Sequence, residues 1–148
     1  MSVRIKAYYK HGHGENPVIL ETAQDADALV DAMLSEEFDN SVAALYADTR
    51  PKASSGYPDH ELRIALFTEC KIGGIRYGGG DTKDVTYVPG KTSEREEVFY
   101  NYMHHDEGWP ADSEVSIEQV RQAVRELVEG NGARPGSFEW KEWPAGVR

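Results

Sequence analysis

The chain has 148 residues with 16 basic and 26 acidic side chains, which gives a net charge of −10 with histidine neutral. That length suits one domain with a single core, and 39% hydrophobic with 28% charged residues is a globular balance rather than a disordered one. The negative charge disfavours tight binding to nucleic acid or to anionic membranes, and no apolar run approaches the roughly 20 residues of a membrane span. Because the N-terminus lacks the apolar stretch of a secretory signal and Cys70 is the only cysteine, we expect a reduced, soluble, cytoplasmic protein.

The first forty residues predict a hairpin followed by an amphipathic helix. Residues 3–9 largely alternate apolar and polar side chains as a half-buried strand does, and a loop leads to a short returning strand over residues 18–20. Thr22 can cap a helix, and apolar side chains follow at helical spacing over about residues 23–37. We expect this helix to end at Asp39-Asn40.

The middle of the chain predicts strands joined by short turns. The candidate strands cover residues 42–46, 61–68, 72–77, 85–88 and 98–103. Turns are predicted at Cys70-Lys71 and at the glycine triplet that begins with Gly78. Because short strands joined by short turns favour antiparallel pairing, we expect a meander sheet.

The C-terminal part predicts a second helix and a last strand. Residues 104–115 read as an irregular segment, and Ser116 with Gln119 forms a capping box. Apolar side chains then line one face of a helix over about residues 117–130, and aromatic alternation predicts a strand over residues 138–143. Since no repeat or linker divides the chain, we predict one α+β domain spanning residues 1–148.

Two histidine pairs make a metal-dependent enzyme one alternative. His11 and His13 share one loop, and His104 and His105 are adjacent in another. A zinc or similar ion needs three or four converging ligands, and nothing in the sequence brings the two pairs together. Exposed loop histidines are the commoner outcome, so we expect no metal and no other cofactor. His60 is expected at the edge of a strand.

Other candidates for catalysis are weak. The glycine-rich stretch over residues 73–80 contains neither GxxxxGK[ST] nor GxGxxG, and no helix follows it to face a phosphate. Its glycines fit a hairpin with turns at positive φ and close backbone packing. Cys70 lacks an adjacent histidine to activate it, so we expect a half-buried structural thiol. We therefore predict that the protein is not an enzyme.

Aromatic residues on neighbouring strand candidates offer a surface for a protein partner. Since alternate strand residues point to opposite sides, we expect Phe99 to face the core while Tyr100 and Tyr102 face outward. Outward tyrosines beside Asp106 and Glu107 would form an amphipathic, negatively charged patch of the kind that binds proteins. A helix that covers this side of the sheet is an equally favoured alternative.

An ordered set of motifs over residues 62–143 resembles the first-numbered immunity protein family of bacterial polymorphic toxin systems. A strand leads to Gly-Gly-Ile-Arg-Tyr at residues 73–77, then to Val-Phe-Tyr at residues 98–100, to Trp109-Pro110 and to the capped helix. Gly-Ala-Arg-Pro at residues 132–135 and Trp140 complete the set. The glycine run at residues 78–80 departs from the family pattern.

The resemblance implies a small α+β protein without enzymatic activity that binds a cognate toxin domain and blocks its active site or substrate groove. The family is associated mainly with toxins of the nucleic-acid deaminase type. Five positions match the family pattern in scaffold roles as turn glycines, fixed prolines or core aromatics: Gly74, Tyr77, Pro110, Pro135 and Trp140. Contacts with the toxin vary with the toxin, so the resemblance transfers none of them.

The contact residues are therefore chosen from the chemistry of this chain. The candidates are acidic and aromatic side chains between residues 81 and 109: Asp81, Asp84, Tyr100, Tyr102, Asp106, Glu107 and Trp109. A toxin that acts on DNA or RNA presents a basic groove, which an acidic inhibitor approaches under electrostatic steering. The acidic helix over residues 23–37 is the alternative contact surface. A homodimer formed by edge-to-edge pairing of the aromatic strand is a further alternative.

Overall fold

The protein consists of a large antiparallel sheet, two helices and a separate hairpin. A computed structural model describes residues 4–48, 50, 56, 58–79 and 84–147. The elements in chain order are β1 (Ile5–Tyr8), β2 (Val18–Leu20), α1 (Ala23–Leu34), β3 (Val42–Ala47), β4 (His60–Phe67), β5 (Ile72–Gly79), β6 (Thr86–Tyr87), β7 (Phe99–Tyr102), β8 (His105–Gly108), β9 (Val115–Ser116), α2 (Ile117–Glu129) and β10 (Lys141–Glu142). No helix in these residues is long and apolar enough to cross a membrane. The α+β fold is confirmed.

The large sheet contains eight strands in the described part of the chain. Its order is β10-β6-β5-β4-β3-β1-β2, and β9 also pairs with β5. The run from β3 to β6 is the predicted meander, with β4 and β5 paired along their full length. The N-terminal hairpin departs from the meander order. After α1 the chain returns as β3, which pairs with β1 and not with β2, so β1 lies between β3 and β2.

The connection between β4 and β5 confirms the turn predicted at Cys70-Lys71. A short 3₁₀ helix spans Thr68–Cys70, and Lys71 follows in the left-handed region with φ of 56°. Gly73 and Gly74, in contrast, lie inside β5 rather than in a turn. A Cβ at Gly74 would come within 2.7 Å of the Trp109 ring. This glycine is therefore needed for close packing and not for a positive φ.

Both helices begin with reciprocal capping boxes. The Thr22 hydroxyl accepts a hydrogen bond from the Asp25 backbone N–H at 3.1 Å, and the Asp25 carboxylate accepts one from the Thr22 N–H. Ser116 caps α2 in the same way. α1 ends at Leu34 rather than near residue 37, because a 3₁₀ helix over Phe38–Asn40 follows it and its first ring packs against Phe67.

The two helices contact each other on one face of the sheet. Their apolar sides join inward-facing strand residues in the main core, whose largest buried members include Ile5, Leu20, Val30, Leu45, Leu62, Ile64, Ile75, Tyr77 and Leu127. Arg125 of α2 pairs with Asp27 of α1 at 2.7 Å, and Arg121 pairs with Asp27 and Asp31. Part of the negative charge of α1 is therefore neutralised within the protein.

β7 and β8 form a hairpin that packs against the opposite face of the sheet. The strand predicted over residues 98–103 pairs with residues 105–108, where the sequence predicts an irregular segment, instead of entering the large sheet. A second apolar cluster holds the hairpin in place: Val42, Ala65, Val98, Tyr100 and Trp109. The Asn101 N–H donates to Ser41 Oγ at 3.0 Å, and the Ser41 N–H donates to Asn101 O at 3.1 Å. β7 is therefore not a free edge at Asn101.

The last predicted strand is shorter than the pattern over residues 138–143 indicates. Only Lys141–Glu142 pairs, and its partner is β6. Phe138 and Trp140 pack against the main core, and Trp140 Nε1 donates to the Pro135 carbonyl oxygen at 2.9 Å. Side-chain packing thus takes the place of ladder hydrogen bonds for the first half of this segment.

Candidate partner-binding surface

The register of the β7–β8 hairpin divides its side chains between two sides. Tyr100 pairs with Glu107 on the side that faces the sheet, whereas Phe99 pairs with Gly108 on the outer side. Asp106 belongs to the outer side as well, since it pairs with Asn101. The hairpin therefore has one side packed on the sheet, whereas Phe99 and Asp106 on the other side are exposed and Asn101, which pairs with Asp106, is buried.

The inner side corrects the orientation expected for the aromatic residues. Tyr100 is fully buried and Phe99 is 39% exposed, which is the reverse of the prediction. The Tyr100 ring meets the ring of Trp109 edge to face, with centroids 5.5 Å apart, and Trp109 is also buried. Tyr102 is half-buried beneath the guanidinium of Arg63, 4.7 Å from its ring centroid. Tyr100 and Trp109 are therefore core side chains, although Trp109 also lines the groove that contains Phe99.

Glu107 is the centre of a charged network on the inner side. One carboxylate oxygen accepts a hydrogen bond from Arg63, and the other lies 3.9 Å from Arg76 Nη1. Trp109 Nε1 donates to the same carboxylate at 3.1 Å. Only 14% of the Glu107 side chain is exposed. Its charge is therefore balanced internally, in contrast to the outward acidic role expected for it.

The network extends across the sheet to Glu61 and Tyr46. Arg63 also bonds to Glu61, which accepts a hydrogen bond from the Tyr46 hydroxyl. Burial lowers the pKa of Arg76, whereas the charges of Glu61 and Glu107 raise the pKa of Arg63 against the opposing effect of burial. Burial, followed by the charge of Glu61, raises the pKa of Tyr46. At neutral pH this network is a set of matched charges that fixes the hairpin on the sheet.

The outer side of the hairpin carries an exposed ring and exposed carboxylates together. Phe99, Glu97 and Asp106 line one groove of about 530 Å³. Asp106 is exposed and its Oδ1 accepts a hydrogen bond from Asn101 Nδ2 at 2.8 Å. The Phe99 ring meets Phe38 edge to face at 5.7 Å, which sets its orientation. This groove is an amphipathic, acidic surface of the kind the sequence predicts, but it is built around a different aromatic residue.

A second, smaller groove lies beside Phe38. Phe38 and Phe67, with ring centroids 5.0 Å apart, line a cavity of about 120 Å³. Glu36, Glu37 and Glu69 lie on its wall. Acidic side chains thus continue from the hairpin to the end of α1.

Two of the predicted contact residues lie in the segment before β6. Asp81 lies outside the described residues. Asp84 is exposed just before β6 and is not among the residues that line the groove beside Phe99.

The two histidine loops meet in space, which the sequence does not reveal. The His11 and His104 rings stack with centroids 5.5 Å apart, and His104 Nδ1 lies 3.3 Å from Asp39. His13 Nδ1 instead accepts the Tyr9 N–H at 3.1 Å. Within the described residues, no group of three or more His, Cys, Asp or Glu side chains is arranged to hold a metal ion.

Two further side chains differ from their expected surroundings. Cys70 is exposed at the β4–β5 turn, not half-buried. His60 begins β4 but is 3% exposed, because its Nε2 accepts the Ala47 N–H at 2.7 Å while its Nδ1 lies 2.8 Å from Asp59. His60 is therefore buried at the end of the sheet and does not lie at the open strand edge that the sequence predicts.

The positions that match the family pattern are buried or half-buried, but Gly74 lies inside β5 and not in the turn predicted for it. Tyr77 is fully buried and donates to the Gly132 carbonyl oxygen at 2.7 Å, and its ring meets Trp140 at 6.3 Å. Pro110 and Pro135 are buried. Gly74 leaves room for the Trp109 ring. Tyr77 thus connects β5 to the segment that follows α2, and Gly74 allows the Trp109 ring to pack closely on the sheet.

The sequence reasoning missed Phe99, Glu97 and Phe38 as members of an exposed surface. Alternation shows which residues share a side of a strand, but it does not show which side is covered. One local signal was available: the side of β7 that contains Phe99 also contains Asn101, so it is less apolar than the side with Val98 and Tyr100. That comparison favours an outward Phe99.

The comparison with protein families finds a match over most of the chain. A family model described as Immunity protein Imm1 matches residues 14–142 of the chain. The matched range includes both helices, the hairpin and every described strand except β1. No curated protein matches the chain.

Proposed function

The chain belongs to the Imm1 family of immunity proteins, and from this membership we propose that it neutralises one cognate bacterial toxin by covering the active site of the toxin domain. The family match over residues 14–142 carries the proposal. The protein acts by binding and not by catalysis. A standard protein interface covers about 800 Å² on each partner, which is about a tenth of this protein's 7897 Å² surface and enough to close a catalytic groove.

We propose further that the toxin acts on nucleic acid, as a deaminase or a nuclease. An enzyme that binds DNA or RNA needs a basic groove for the phosphate backbone. A protein with net charge −10 is attracted to such a groove over distances longer than direct contact, which raises the association rate. The same charge disfavours binding of this protein to the toxin's nucleic-acid substrate, so the inhibitor targets the enzyme.

Co-expression with the toxin domain encoded beside this chain's gene tests the immunity role. Cells that express the toxin domain alone should stop growing, and co-expression of this chain should restore growth. The two proteins should co-purify, including when the toxin's catalytic residue is replaced. An unrelated toxin domain is the control and should remain toxic. Failure of both rescue and co-purification would show that the proposed function is wrong.

The chemical class of the toxin is tested with the purified domain. Incubation with DNA and with RNA should give either deaminated bases or cleaved strands. An equimolar amount of this protein should abolish the product. A toxin domain that modifies protein or lipid instead would contradict the nucleic-acid assignment while leaving the immunity role intact.

A further inference from the structure

The exposed ring of Phe99 has the properties of an interface anchor. It is the one large hydrophobic side chain in the described residues that is classed as exposed. Its edge-to-face contact with Phe38 holds the ring in one orientation, so little side-chain freedom would be lost on binding. Aromatic residues at the centre of protein interfaces contribute strongly to affinity because they bury a large apolar area in a small contact.

The carboxylates beside this ring are not paired within the described protein and can therefore pair with a cationic partner. Glu97 and Asp106 share the groove with Phe99, and both side chains are exposed. These two side chains form no ion pair with a described residue. The nearest cation in the sequence, Arg95, pairs with Glu114 at 3.0 Å. The negative charge on this side of the hairpin is therefore not compensated within the described protein.

Other acidic regions of the surface differ in this respect. On the helical face, Asp27 and Asp31 are paired with arginines of α2. On the open part of the sheet, the grooves beside Tyr46 contain cationic and acidic side chains in mixture: Lys6, Asp48, Arg50, Asp59, Glu61 and Arg76. The outer side of the hairpin combines an exposed aromatic ring with uncompensated carboxylates, which neither of these regions does.

We propose that the outer side of the β7–β8 hairpin is the toxin-binding face, with Phe99 as its apolar anchor and Glu97 and Asp106 as its charged rim. The occupant is a basic face of the cognate toxin domain, on which a shallow apolar site accepts the ring and lysine or arginine side chains meet the two carboxylates. This inference rests on the proposed function and adds the surface that performs it. The helices lie on the opposite side of the sheet and do not contact the toxin.

Binding of a catalytically inactive toxin domain to single variants of this protein tests the face. Phe99→Ala should weaken the equilibrium affinity about 30-fold, the loss typical of a hot-spot residue. Glu97→Lys should slow association about tenfold at low salt, and Asp106→Asn should slow it by a smaller factor. Glu129→Lys, an equal charge change at the end of α2, is the matched control and should leave affinity unchanged.

Folding and self-association are measured on the same variants. Thermal unfolding should be nearly unchanged in Glu97→Lys and Asp106→Asn, because both side chains are exposed, and Phe99→Ala should lower the midpoint modestly, because the ring is 39% exposed but contacts Phe38. Light scattering should show the same mass for the wild type and Phe99→Ala in the absence of toxin. A mass that falls in the variant, with toxin affinity unchanged, would assign the face to self-association and overturn the proposal.

The outcomes separate this inference from the proposed function. Tight binding by the wild type together with equal binding by every hairpin variant would overturn the face and leave the immunity role standing. A loss of affinity in Glu129→Lys but not in the hairpin variants would move the interface to the helical side. Absence of binding and of growth rescue by the wild type would overturn both.

Discussion

Asp106 and Glu107 are neighbours in the chain, but the hairpin sends their carboxylates to opposite sides. Glu107 is surrounded by Arg63, Arg76 and Trp109, so its charge stabilises the protein. Asp106 faces solvent and has one hydrogen bond, from Asn101. At the scale of single residues, an exposed carboxylate and an internally paired one are thus adjacent on one strand.

Replacement of these two acids separates the roles. Glu107→Gln keeps the shape of the side chain but removes the charge that faces two guanidinium groups, so the free energy of unfolding should fall by about 2 kcal/mol. Asp106→Asn, the matched control, should lower it by less than about 0.5 kcal/mol because the side chain is exposed. Urea unfolding followed by tryptophan fluorescence measures both. Equal losses in the two variants would contradict the assignment of Glu107 to an internal network.

At the scale of elements, loops fasten the short strands of the sheet. β6 and β10 contain two residues each, and ladder hydrogen bonds alone give such strands little stability. The Asp112 carboxylate accepts a hydrogen bond from the Tyr87 hydroxyl at 2.7 Å and lies 3.0 Å from Lys141 Nζ. One acidic side chain outside the sheet therefore ties together its last two strands.

This connection predicts a pH dependence of stability. The hydrogen bond from Tyr87, and then Lys141, holds the pKa of Asp112 below its ordinary value of 3.8. Because the native pKa is lower than the unfolded pKa, the stabilisation is complete above the unfolded value and is lost as the pH falls through the native value. Asp112→Asn should therefore reduce the loss of stability between neutral and strongly acidic pH. Thermal unfolding across that range measures the slope.

Tyr87→Phe is the companion variant for this element. It removes the hydroxyl donor while keeping a buried ring, so it should reduce the acid dependence in the same direction as Asp112→Asn. If stability fell with the same slope at acidic pH in the wild type and in both variants, Asp112 would not contribute to holding the two strands together.

At the scale of the whole molecule, the acidic side chains behind the net charge of −10 are paired with cations in some regions of the surface and unpaired in others. Acids of α1 are balanced by arginines of α2, and Glu61 and Glu107 are balanced by Arg63 and Arg76. On the outer side of the hairpin, Glu97 and Asp106 are exposed and form no ion pair with any residue that the structure describes. The electrostatic potential that a distant partner meets at this surface is consequently negative.

The association rate with the toxin domain should therefore depend strongly on salt. Between about 0.01 M and about 1 M ionic strength the Debye length falls from about 30 Å to about 3 Å, which removes long-range attraction. We expect the association rate to fall at least about tenfold over this range, while the dissociation rate changes less. Stopped-flow fluorescence or biolayer interferometry measures both rates. An association rate independent of salt would contradict a basic partner surface.

Short-range patterns of the sequence accounted for much of the fold. Both helix starts were predicted because a capping box lies within four residues, and the apolar spacing that follows needs no knowledge of distant contacts. The strands from β3 to β6 were predicted for the same reason, since side-chain alternation and turns are local. The end of α1 was predicted too late, because contacts of Phe38 with distant rings determine where the helix stops.

The amino-acid sequence by itself determined the α+β class, the positions of the main elements and the family pattern around Gly74, Tyr77 and Trp140. The tertiary structure decided which side of the hairpin is covered, because that depends on Val42 and Ala65, which precede Tyr100 by 58 and 35 residues. It likewise decided that Glu107 pairs with arginines and that Phe99 is exposed. A pattern with a period of two residues identifies two sides of a strand, and only packing against the rest of the protein distinguishes them.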